Sequence, residues 1–566
     1  MHNGTRVVDH LIRAVSGLGV RHVFGVDGAN IEDLYDAAFD HRQAVTGVVA
    51  KHEFSAATMA DGYARSTSGL GVVCATSGGG AVNLVAGLAE SFASRVPVLA
   101  LIGQPPTNLE GKGAFQDSSG QAGAFDAVRL FTPIARYCAR VDSAAGLPVH
   151  LDRAVRAAYT GGPAVLLLPK DVQQADLVAP PFAPPGREYR RDLGALGRVL
   201  DAIRTARATG KVVIVAGDQV ARDDARTELA RLVHVLEAAV AVAPDAKDVY
   251  HHGDPGFCGI AGSMGHPELT DALRGAALCL LVGTRMPVTA RAGLDEALGA
   301  VPLASIGAEP PFLMTAHART TDLARTLDEL HGELAGATVT ALTTAPQRPR
   351  AVREPVLTPI DVPFAAGPGL RYRAVVDTIN AELPSGADVF ADAGNTGAAV
   401  VHHLRLPRDG RFTVALGMGG MGYAFGAGIG SAFARREQPD GGTRRTFVIA
   451  GDGAFFMHGM EIHTAIEHRL PITFVVFNNN AHAMCITREQ LYYGDRYSFN
   501  RFRPAHPGAG VAAMFPDMCT HSPTTLRELA AALRHCTGRQ GPSFVSIDCD
   551  PDEIPPFTPF LSVPRR

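Results

Sequence analysis

The sequence predicts an α/β protein of three domains, each with a mostly parallel sheet flanked by helices, and three observations support this prediction. Short runs rich in Val, Ile and Leu alternate with amphipathic stretches, which is typical of buried parallel strands joined by crossover helices. Two Pro-rich stretches, at 172–191 and 343–369, resemble interdomain linkers. The length of 566 residues also exceeds what one hydrophobic core usually supports.

The predicted strands set the expected domains. The runs are VRHVFGV, LGVVCAT and VPVLALIG, then KVVIVAG and LCLLVGT, then RTFVIAGDG, ITFVVFNNN and SFVSIDCD. We expect an N-terminal domain over 1–175, a central Rossmann-like domain over 190–342, a C-terminal domain over 369–550 and a tail over 551–566. Ligands of such sheets bind beyond the carboxyl ends of the strands, and several of these strands end in Gly, Asp or Asn.

Composition excludes several classes of protein. A hydrophobic content of 46%, a charged content of 19% and a net charge of -4 are those of an ordinary globular protein, so no nucleic-acid partner is expected. No apolar run reaches bilayer length and the first residues lack the layout of a secretion signal, so we expect no membrane association and a cytoplasmic location. The eight cysteines form no C-x-x-C pair, so the sequence suggests neither a zinc site nor a disulfide framework.

The strongest local signal lies in the last third of the chain. One predicted strand ends in Gly451-Asp452-Gly453 and the next in Asn478-Asn479, with 24 residues between Gly453 and Asn478. A carboxylate and an amide oxygen from neighbouring strand ends can share Mg²⁺, which also binds phosphates. The glycines let backbone amides and a helix N-terminus approach a diphosphate. Each half alone is typical of a turn or loop, but together they favour a metal and diphosphate site.

These residues resemble the GDG-to-NN motif of the thiamine-diphosphate enzyme superfamily, which holds Mg²⁺ and the diphosphate of the cofactor. Carried over by position, the resemblance implies that Asp452, the side chain of Asn479 and the main-chain carbonyl of Ala481 bind Mg²⁺. The other cofactor-binding positions that it implies in this region are Gly451, Gly453, Ala454 and Met484. The last domain would then be the diphosphate-binding domain and the first the pyrimidine-binding domain.

A second glycine-rich segment allows two interpretations. The residues GMGGMG at 417–422 fit the G-x-G-x-x-G pattern of a dinucleotide loop after a strand-like FTVAL. Under the resemblance, the same segment lies beneath thiamine diphosphate, where Met421 supports the thiazolium ring and the carbonyl of Gly419 contacts the aminopyrimidine. The second interpretation also explains the GDG motif nearby.

Glu53 is the predicted essential catalytic residue. It stands at a strand-to-helix transition in HEFSAATMADGYAR, where a Glu is most often a partner of the helix dipole. The resemblance implies instead that Glu53 protonates the aminopyrimidine ring, a task that suits a buried carboxyl group with a raised pKa. Because Glu53 and Asp452 lie 399 residues apart, the resemblance implies a homodimer or homotetramer with active sites at the subunit interface.

Over nearly the whole chain the order of segments resembles the acetolactate synthase branch. The segments are HEFSAATMADGYAR, SGGGAVNLVAGLAESFASRVPVLALIGQ, GAFQD, GPAVLLLPKDV and GIAGSMGHPE. Phe115, Gln116 and Lys170 match positions that line the active-site channel of that branch. In the loop at 24–30 this chain departs from the FGYPGG of the synthases. Under the resemblance, the loop of this chain places Ala29 and the amide of Asn30 near the reacting carbon.

The segment that would bind the acceptor departs further from the synthases. Arg488 stands where the synthases carry a Trp that shapes the acceptor pocket, and an Arg there suits an acceptor with a carboxylate or phosphate. A surface Arg paired with Glu489 is an equally good interpretation. His482 is a candidate for proton transfer near the metal, although a His in a polar loop is more often only a hydrogen-bonding residue.

FAD, which some relatives bind in the central domain, is left open. Gly262-Ser263-Met264-Gly265-His266 and Gly283-Thr284-Arg285 loosely resemble flavin-contacting segments, but 286–288 depart from the acidic-Arg pattern that follows in those relatives. His402-His403 is interpreted as structural.

The predicted function is that of a carboligase. It decarboxylates a 2-oxo acid such as pyruvate and transfers the acyl carbanion to a carbonyl acceptor, with Glu53 cycling protons and Gln116 or Asn30 orienting the substrate. The alternatives are a non-oxidative 2-oxo acid decarboxylase and a non-catalytic nucleotide-binding subunit.

Overall fold

A computed structural model of the chain describes residues 5–336, 355–438 and 444–562. The predicted end of the central domain at residue 342 and the first part of the second Pro-rich stretch lie outside the described residues. So do the first four residues of the N-terminal domain and the last four of the predicted tail.

The first part of the chain forms a parallel six-stranded sheet flanked by helices. The strands in this part of the chain, two of which lie outside the six-stranded sheet, are β1 (Thr5–Arg6), β2 (His22–Val26), β3 (Thr46–Val49), β4 (Gly71–Ala75), β5 (Val98–Gln104), β6 (Tyr137–Arg140), β7 (Pro163–Pro169) and β8 (Asp176–Leu177). Its helices are α1 (Val7–Gly17), α2 (Glu32–Asp40), α3 (Glu53–Thr67), α4 (Gly79–Asn83), α5 (Val85–Ala93), α6 (Ala127–Phe131), α7 (Leu147–Tyr159) and α8 (Lys170–Gln174). The sheet order is β3-β2-β4-β5-β7-β6, and β1 pairs separately with β8 in an antiparallel ribbon.

The middle of the chain forms a second parallel sheet with the order β11-β10-β9-β12-β13-β14. Its strands are β9 (Val212–Ala216), β10 (Ala239–Val242), β11 (Phe257–Ile260), β12 (Leu278–Val282), β13 (Leu303–Gly307) and β14 (Ala316–Arg319). Its helices are α9 (Leu193–Thr209), α10 (Asp218–Arg222), α11 (Arg226–Leu236), α12 (Pro267–Leu273), α13 (Val288–Arg291), α14 (Asp295–Gly299) and α15 (Leu323–Gly336). This order is that of a Rossmann-type sheet.

The last part forms a third parallel sheet with the order β16-β15-β17-β18-β20-β19, which repeats the connectivity of the first sheet. Its strands are β15 (Asp388–Ala391), β16 (Arg411–Val414), β17 (Thr446–Gly451), β18 (Ile472–Asn478), β19 (Cys519–His521) and β20 (Ser543–Asp548). Its helices are α16 (Tyr372–Glu382), α17 (Asn395–His403), α18 (Tyr423–Arg436), α19 (Asp452–His458), α20 (Ile462–Glu467), α21 (Ala483–Tyr493), α22 (Pro507–Met514), α23 (Leu526–Thr537) and α24 (Thr558–Leu561). Short 3-10 turns lie at Thr107–Leu109, Thr132–Ile134, Ala144–Gly146, Pro244–Ala246, Gly262–Met264 and Gly459–Glu461.

The predicted α/β class with three mostly parallel sheets is confirmed. Central strands such as β4, β7 and β18 are buried at every residue, as expected for strands covered by helices on both faces. The segment after β17 forms α19, a 3-10 turn and α20 in succession. Glu461 in that turn uses its carboxylate to accept from the backbone N–H of Lys51 and the hydroxyl of Thr464.

Helices α3 and α18 join the first and last sheets through close backbone contact. A Cβ added at Gly62 would lie 2.0 Å from the carbonyl oxygen of Ala427, and one added at Gly430 would lie 1.9 Å from that of Met59. Only glycine permits this approach. One hydrophobic core consequently spans both domains, while a second core joins the central domain to the other face of the C-terminal sheet. Among the described helices, none combines the length and the apolar character that crossing a membrane requires.

Candidate active site at the ends of two sheets

The predicted site residues lie at two topological switch points, where ligands of open α/β sheets usually bind. In the first sheet β2 and β4 are neighbours whose connections leave in opposite directions, and β15 and β17 play the same part in the third sheet. The loops that leave β2, β4 and β15 carry Asn30, Thr76 and Asp392, and Asp452 follows β17 directly as the first residue of α19. Each switch point therefore offers one polar half of a site.

Glu53 is the first residue of α3 and is only 9% exposed. The helix is capped by His52, whose Nδ1 accepts from the backbone N–H of Phe54 at 3.0 Å, so Glu53 is not needed as the cap. Its carboxylate Oε2 accepts a hydrogen bond of 2.9 Å from the Asn83 side chain. A Cβ at Gly80 would lie 3.0 Å from the other carboxylate oxygen. The carboxylate is thus held by an amide at the edge of α4.

Thr76 connects the other two predicted catalytic residues. Its hydroxyl accepts from the backbone N–H of Asn30 at 3.2 Å and donates to the side-chain oxygen of Gln116 at 3.0 Å. The Asn30 side-chain amide donates to the hydroxyl of Ser77 at 2.7 Å. Gln116 has a φ of +60°. A Cβ added at Gly78 would lie 2.8 Å from the Cβ of Gln116. The structure therefore brings Asn30 and Gln116 to the same loop that borders Glu53.

Two further candidates lie beside this loop. The Lys170 ammonium donates to the carbonyl oxygen of Ala29 at 2.7 Å and also binds the carboxylate of Glu32. It therefore anchors the loop that carries Asn30. Phe115, next to Gln116, is 74% exposed, which leaves its ring available to a ligand or another chain.

The C-terminal half of the site holds buried oxygen donors. The pairing of Gly451 with Phe477 in β17 and β18 places the two motif segments side by side. Asp452 is 1% exposed, and its carboxylate accepts from the backbone N–H groups of Gly453 at 3.0 Å and Ala481 at 3.3 Å. Burial raises the pKa of Asp452 to about 6. A cation at this position would offset the cost of burying the charge.

Asn479 has a buried oxygen without a hydrogen-bond partner among the described residues. Its amide nitrogen donates to the Tyr372 hydroxyl at 3.0 Å, which directs the amide and leaves Oδ1 unpaired. A buried acceptor without a partner is uncommon and costly, and a metal ion satisfies it. Together with the Asp452 carboxylate, this oxygen forms the donor set that a hard cation such as Mg²⁺ prefers, so these residues fit the implied metal.

Gly453 shares a narrow space with Met421 and His482. A Cβ at Gly453 would lie 2.7 Å from Nδ1 of His482 and 3.0 Å from Cε of Met421. The His482 Nδ1 is buried without a hydrogen-bond partner, and its ring packs edge-on against Phe502 at 4.7 Å. His482 therefore lies directly beside the Gly451-Asp452-Gly453 motif. The glycine keeps the N-terminus of α19 open to a diphosphate group.

Carboxylates that the sequence reasoning missed hold the 417–422 segment in place. Asp392 accepts from the backbone N–H groups of Gly422 and Ala424, both at 2.9 Å, and burial raises its pKa to about 6. Glu90 from α5 accepts from Gly417 at 3.1 Å and Met418 at 2.6 Å. Asp392 follows a strand in VFADAGN, which is the same kind of strand-end signal that revealed Asp452. Glu90, in mid-helix, has no comparable signal.

The remaining candidates lie around the same segments. Gly419 has a φ of +66° in the 417–422 loop, and Ala454 is fully buried in α19. Met484 is partly buried against the second core. Arg488 is exposed on α21 with its guanidinium 5.8 Å from the centre of the Phe560 ring.

The two segments compared with flavin-binding loops make contacts within the protein. The His266 ring stacks on His402 at 4.3 Å, and Nδ1 of His402 lies 2.9 Å from the carbonyl oxygen of Met264. Arg285 forms an ion pair of 3.0 Å with Glu309. FAD binding stays an open prediction.

No hydrogen bond or ion pair joins the Glu53 group to the Asp452 group within the described part of this single chain. Glu53 and Asp452 each make their hydrogen bonds within their own part of the chain.

The fold and the two half-sites define a thiamine-diphosphate-dependent enzyme, and comparisons with known proteins agree. Three family models of the thiamine pyrophosphate enzyme match this chain; thiamine pyrophosphate is another name for thiamine diphosphate. The N-terminal TPP binding domain matches residues 5–124, the central domain matches 196–328 and the C-terminal TPP binding domain matches 392–547. The chain belongs to this family and is an enzyme that breaks and forms carbon–carbon bonds.

Two proteins of similar sequence are acetolactate synthase large subunits. The probable acetolactate synthase large subunit of Methanocaldococcus jannaschii is 26% identical, over 97% of this chain and 93% of its own length. The acetolactate synthase isozyme 2 large subunit of Escherichia coli is also 26% identical, over 97% and 96%.

Solved structures show the same fold. Benzoylformate decarboxylase from Polynucleobacter necessarius matches with a TM-score of 0.81 at 18% identity, over 97% of this chain and 99% of that one. A putative thiamin diphosphate-dependent enzyme from Mycobacterium smegmatis matches with a TM-score of 0.78 at 20% identity, over 96% and 99%.

Proposed function

We propose that this protein is a carboligase that decarboxylates a 2-oxo acid such as pyruvate and transfers the acyl group to a carbonyl acceptor. The observation that carries the proposal is the pair of half-sites: a buried Glu53 held by Asn83, and a buried Asp452 beside the unpaired oxygen of Asn479. The similarity to acetolactate synthase large subunits over nearly the whole chain favours ligation over simple decarboxylation.

The C-terminal residues bind and orient. Asp452, the side-chain oxygen of Asn479 and the carbonyl of Ala481 would hold Mg²⁺, and the open N-terminus at Gly453 would receive the diphosphate. Met421 would support the ring system from below. When bound, thiamine diphosphate supplies the electron sink for cleaving the bond between a carboxylate and a carbonyl carbon.

The N-terminal residues handle protons and substrate. Glu53 would hold a proton at the aminopyrimidine nitrogen, because its buried carboxyl is in a position to share one. Asn30 and Gln116, joined through Thr76, would present amide groups to the substrate oxygens. The anchored loop beneath Lys170 would keep Asn30 in position.

Oligomerisation and location are further parts of the proposal. Because no hydrogen bond joins Glu53 and its partners to Asp452 and its partners within the described residues of one chain, we infer a homodimer or homotetramer in which Glu53 of one subunit faces Asp452 of the next. The eight cysteines are all unpaired, which is compatible with the reducing cytoplasm.

The test measures CO₂ release from pyruvate and other 2-oxo acids by protein supplied with Mg²⁺ and thiamine diphosphate. We expect Glu53→Gln to reduce release by about 100-fold or more, the usual range for losing a general acid or base. Glu296→Gln, a change at an exposed residue of α14, is the matched control and should retain activity.

Mass spectrometry of the products, with a second carbonyl compound added, separates the two reactions. A coupled hydroxyketone product supports the carboligase. A free aldehyde as the only product would establish the decarboxylase instead. Full activity in Glu53→Gln would overturn the assignment of that residue.

A further inference from the structure

A group of metal-ligating side chains lies at the far edge of the C-terminal sheet. Cys519 and His521 are on β19, the edge strand of this sheet, and residues two apart on a strand project to the same face. His535 projects from α23 toward them. The Cys519 sulfur lies 3.4 Å from Nε2 of His521 and 4.0 Å from Nδ1 of His535, and the two ring nitrogens are 3.1 Å apart.

These three distances are close to those of a tetrahedral metal site. With zinc bonds of about 2.0–2.1 Å to nitrogen and about 2.3 Å to sulfur, ligand atoms at tetrahedral angles lie roughly 3.3–3.6 Å apart. The three separations here, 3.1, 3.4 and 4.0 Å, bracket that range. One central ion would therefore reach all three atoms with small side-chain movements.

The donor set selects the kind of metal. A thiolate and two imidazoles are soft and borderline ligands that suit Zn²⁺, whereas Mg²⁺ and Ca²⁺ require oxygen. No carboxylate belongs to this group. The oxygen-only donors at Asp452 and the sulfur-nitrogen donors at Cys519 would thus take different ions.

We propose that Cys519, His521 and His535 form a zinc site with a fourth position open to water or an added ligand. The absence of a C-x-x-C pair had argued against zinc, but here the third ligand comes from a helix 14 residues after His521, which local spacing does not reveal. The fourth position is open because His535 is exposed and the other two ligands are partly buried.

The fold gives this site a structural consequence. β20 separates β19 from β18, and α23 contacts β20 beside it, so an ion held by both elements would tie the edge strand β19 to α23. Because a ligand that binds the folded form stabilises it, zinc should raise the melting temperature.

Cobalt provides the direct test, because a cysteine thiolate bound to Co²⁺ gives a charge-transfer band in the near ultraviolet. The full-length protein, reduced and saturated with Mg²⁺ and thiamine diphosphate, is titrated with Co²⁺ and then with Zn²⁺. We expect the band to saturate at one Co²⁺ per chain and to disappear as Zn²⁺ displaces it. The catalytic metal ligands contain no sulfur, so cobalt bound there gives no such band.

Three variants make the test specific. Cys519→Ser should abolish the band and the zinc-dependent rise in melting temperature, and His535→Ala should weaken both. Cys138→Ser, which removes another partly buried thiol in the first domain, should leave both unchanged. Absence of the band in the wild-type protein, or its persistence in Cys519→Ser, would overturn the proposal whatever the result for carboligation.

Discussion

Thr76 is the residue on which the proposed substrate side of the site depends. Its single hydroxyl binds both the backbone of Asn30 and the side chain of Gln116, which come from loops 46 and 40 residues away in the sequence. Among the described residues, neither Glu53 nor the proposed metal ligands form a hydrogen bond with Thr76. A change at Thr76 should therefore disturb the substrate without disturbing the cofactor.

Thr76→Val tests this separation, since valine keeps the shape and removes the hydroxyl. Losing a hydrogen bond and leaving buried partners unpaired costs about 1–3 kcal/mol, so we expect kcat/KM for the 2-oxo acid to fall roughly 10- to 100-fold. The dissociation constant of thiamine diphosphate should stay within about twofold of wild type. Steady-state kinetics and a cofactor titration measure the two quantities.

Thr76→Ser is the control for that substitution, because it retains the hydroxyl and should keep most of the activity. If Thr76→Val weakened cofactor binding as strongly as catalysis, the loop would serve the cofactor and the separation would be wrong.

Two elements, α3 and α18, fix the positions of the half-sites in one chain. Gly430 in α18 lies against the backbone of Met59 in α3, and an added Cβ would be 1.9 Å from that carbonyl oxygen. Backbone atoms cannot move aside as a flexible side chain can. The interface therefore depends on the glycine.

Gly430→Ala should lower stability by about 2–3 kcal/mol through overpacking and reduce the melting temperature of the unit formed by the outer domains. Gly332→Ala on α15 is the matched control, because nothing lies within 4 Å of its added Cβ. The control should gain about 0.5–1 kcal/mol, as glycine in a helix is less stable than alanine. Differential scanning calorimetry measures both, and an unchanged Gly430→Ala transition would contradict the close packing.

The sequence could predict elements whose signal is local. Strand runs, Asp452 after β17 and Asn479 after β18 follow from hydrophobic pattern and strand-end chemistry, so the sequence predicts the sheets, which are confirmed, and the metal half-site, which stays a prediction. The approach of α3 to α18, the bonds of Thr76 and the hold of Glu90 on the 417–422 loop depend on tertiary contacts. Local periodicity carries no information about such contacts between distant segments.

For the whole molecule, the contact between the central and C-terminal domains should be sensitive to acid. His266, His402 and His403 lie in a cavity of about 350 Å³ that also contains Lys247 and Arg405. Burial, together with the cations Lys247 and Arg373 that also line this cavity, lowers the pKa values, to about 4 for His402 and about 3 for His403.

The sign of the pH effect follows from these shifts. Between the ordinary histidine pKa near 6.5 and pH 4, the unfolded chain takes up protons that the folded chain does not, so stability falls as the pH falls. His403→Phe keeps an aromatic ring and removes one titrating group. It should reduce the stability lost between pH 7 and pH 5 by about 2 kcal/mol.

Urea unfolding at several pH values measures the slope, which is the change in the free energy of unfolding with pH, for this variant. His234→Phe, at an exposed position of α11, should keep the slope of the wild type. An equal slope in His403→Phe would show that the cavity does not control the acid response.

The assembly itself makes the last prediction. If each active site combines Glu53 of one subunit with Asp452 of another, Glu53→Gln and Asp452→Asn are each inactive alone, yet a mixed dimer contains one site with both defects and one intact site. Random assembly of the two variants places about half of the chains in mixed dimers, so about a quarter of wild-type activity should return on co-expression.

Purifying the mixed dimers through two different affinity tags should raise this recovery to about half, one intact site of two in each dimer. A site built within one chain gives the opposite result, because every chain then carries a defect and no mixture regains activity. The recovered activity therefore decides whether the two preformed half-sites work across the subunit interface.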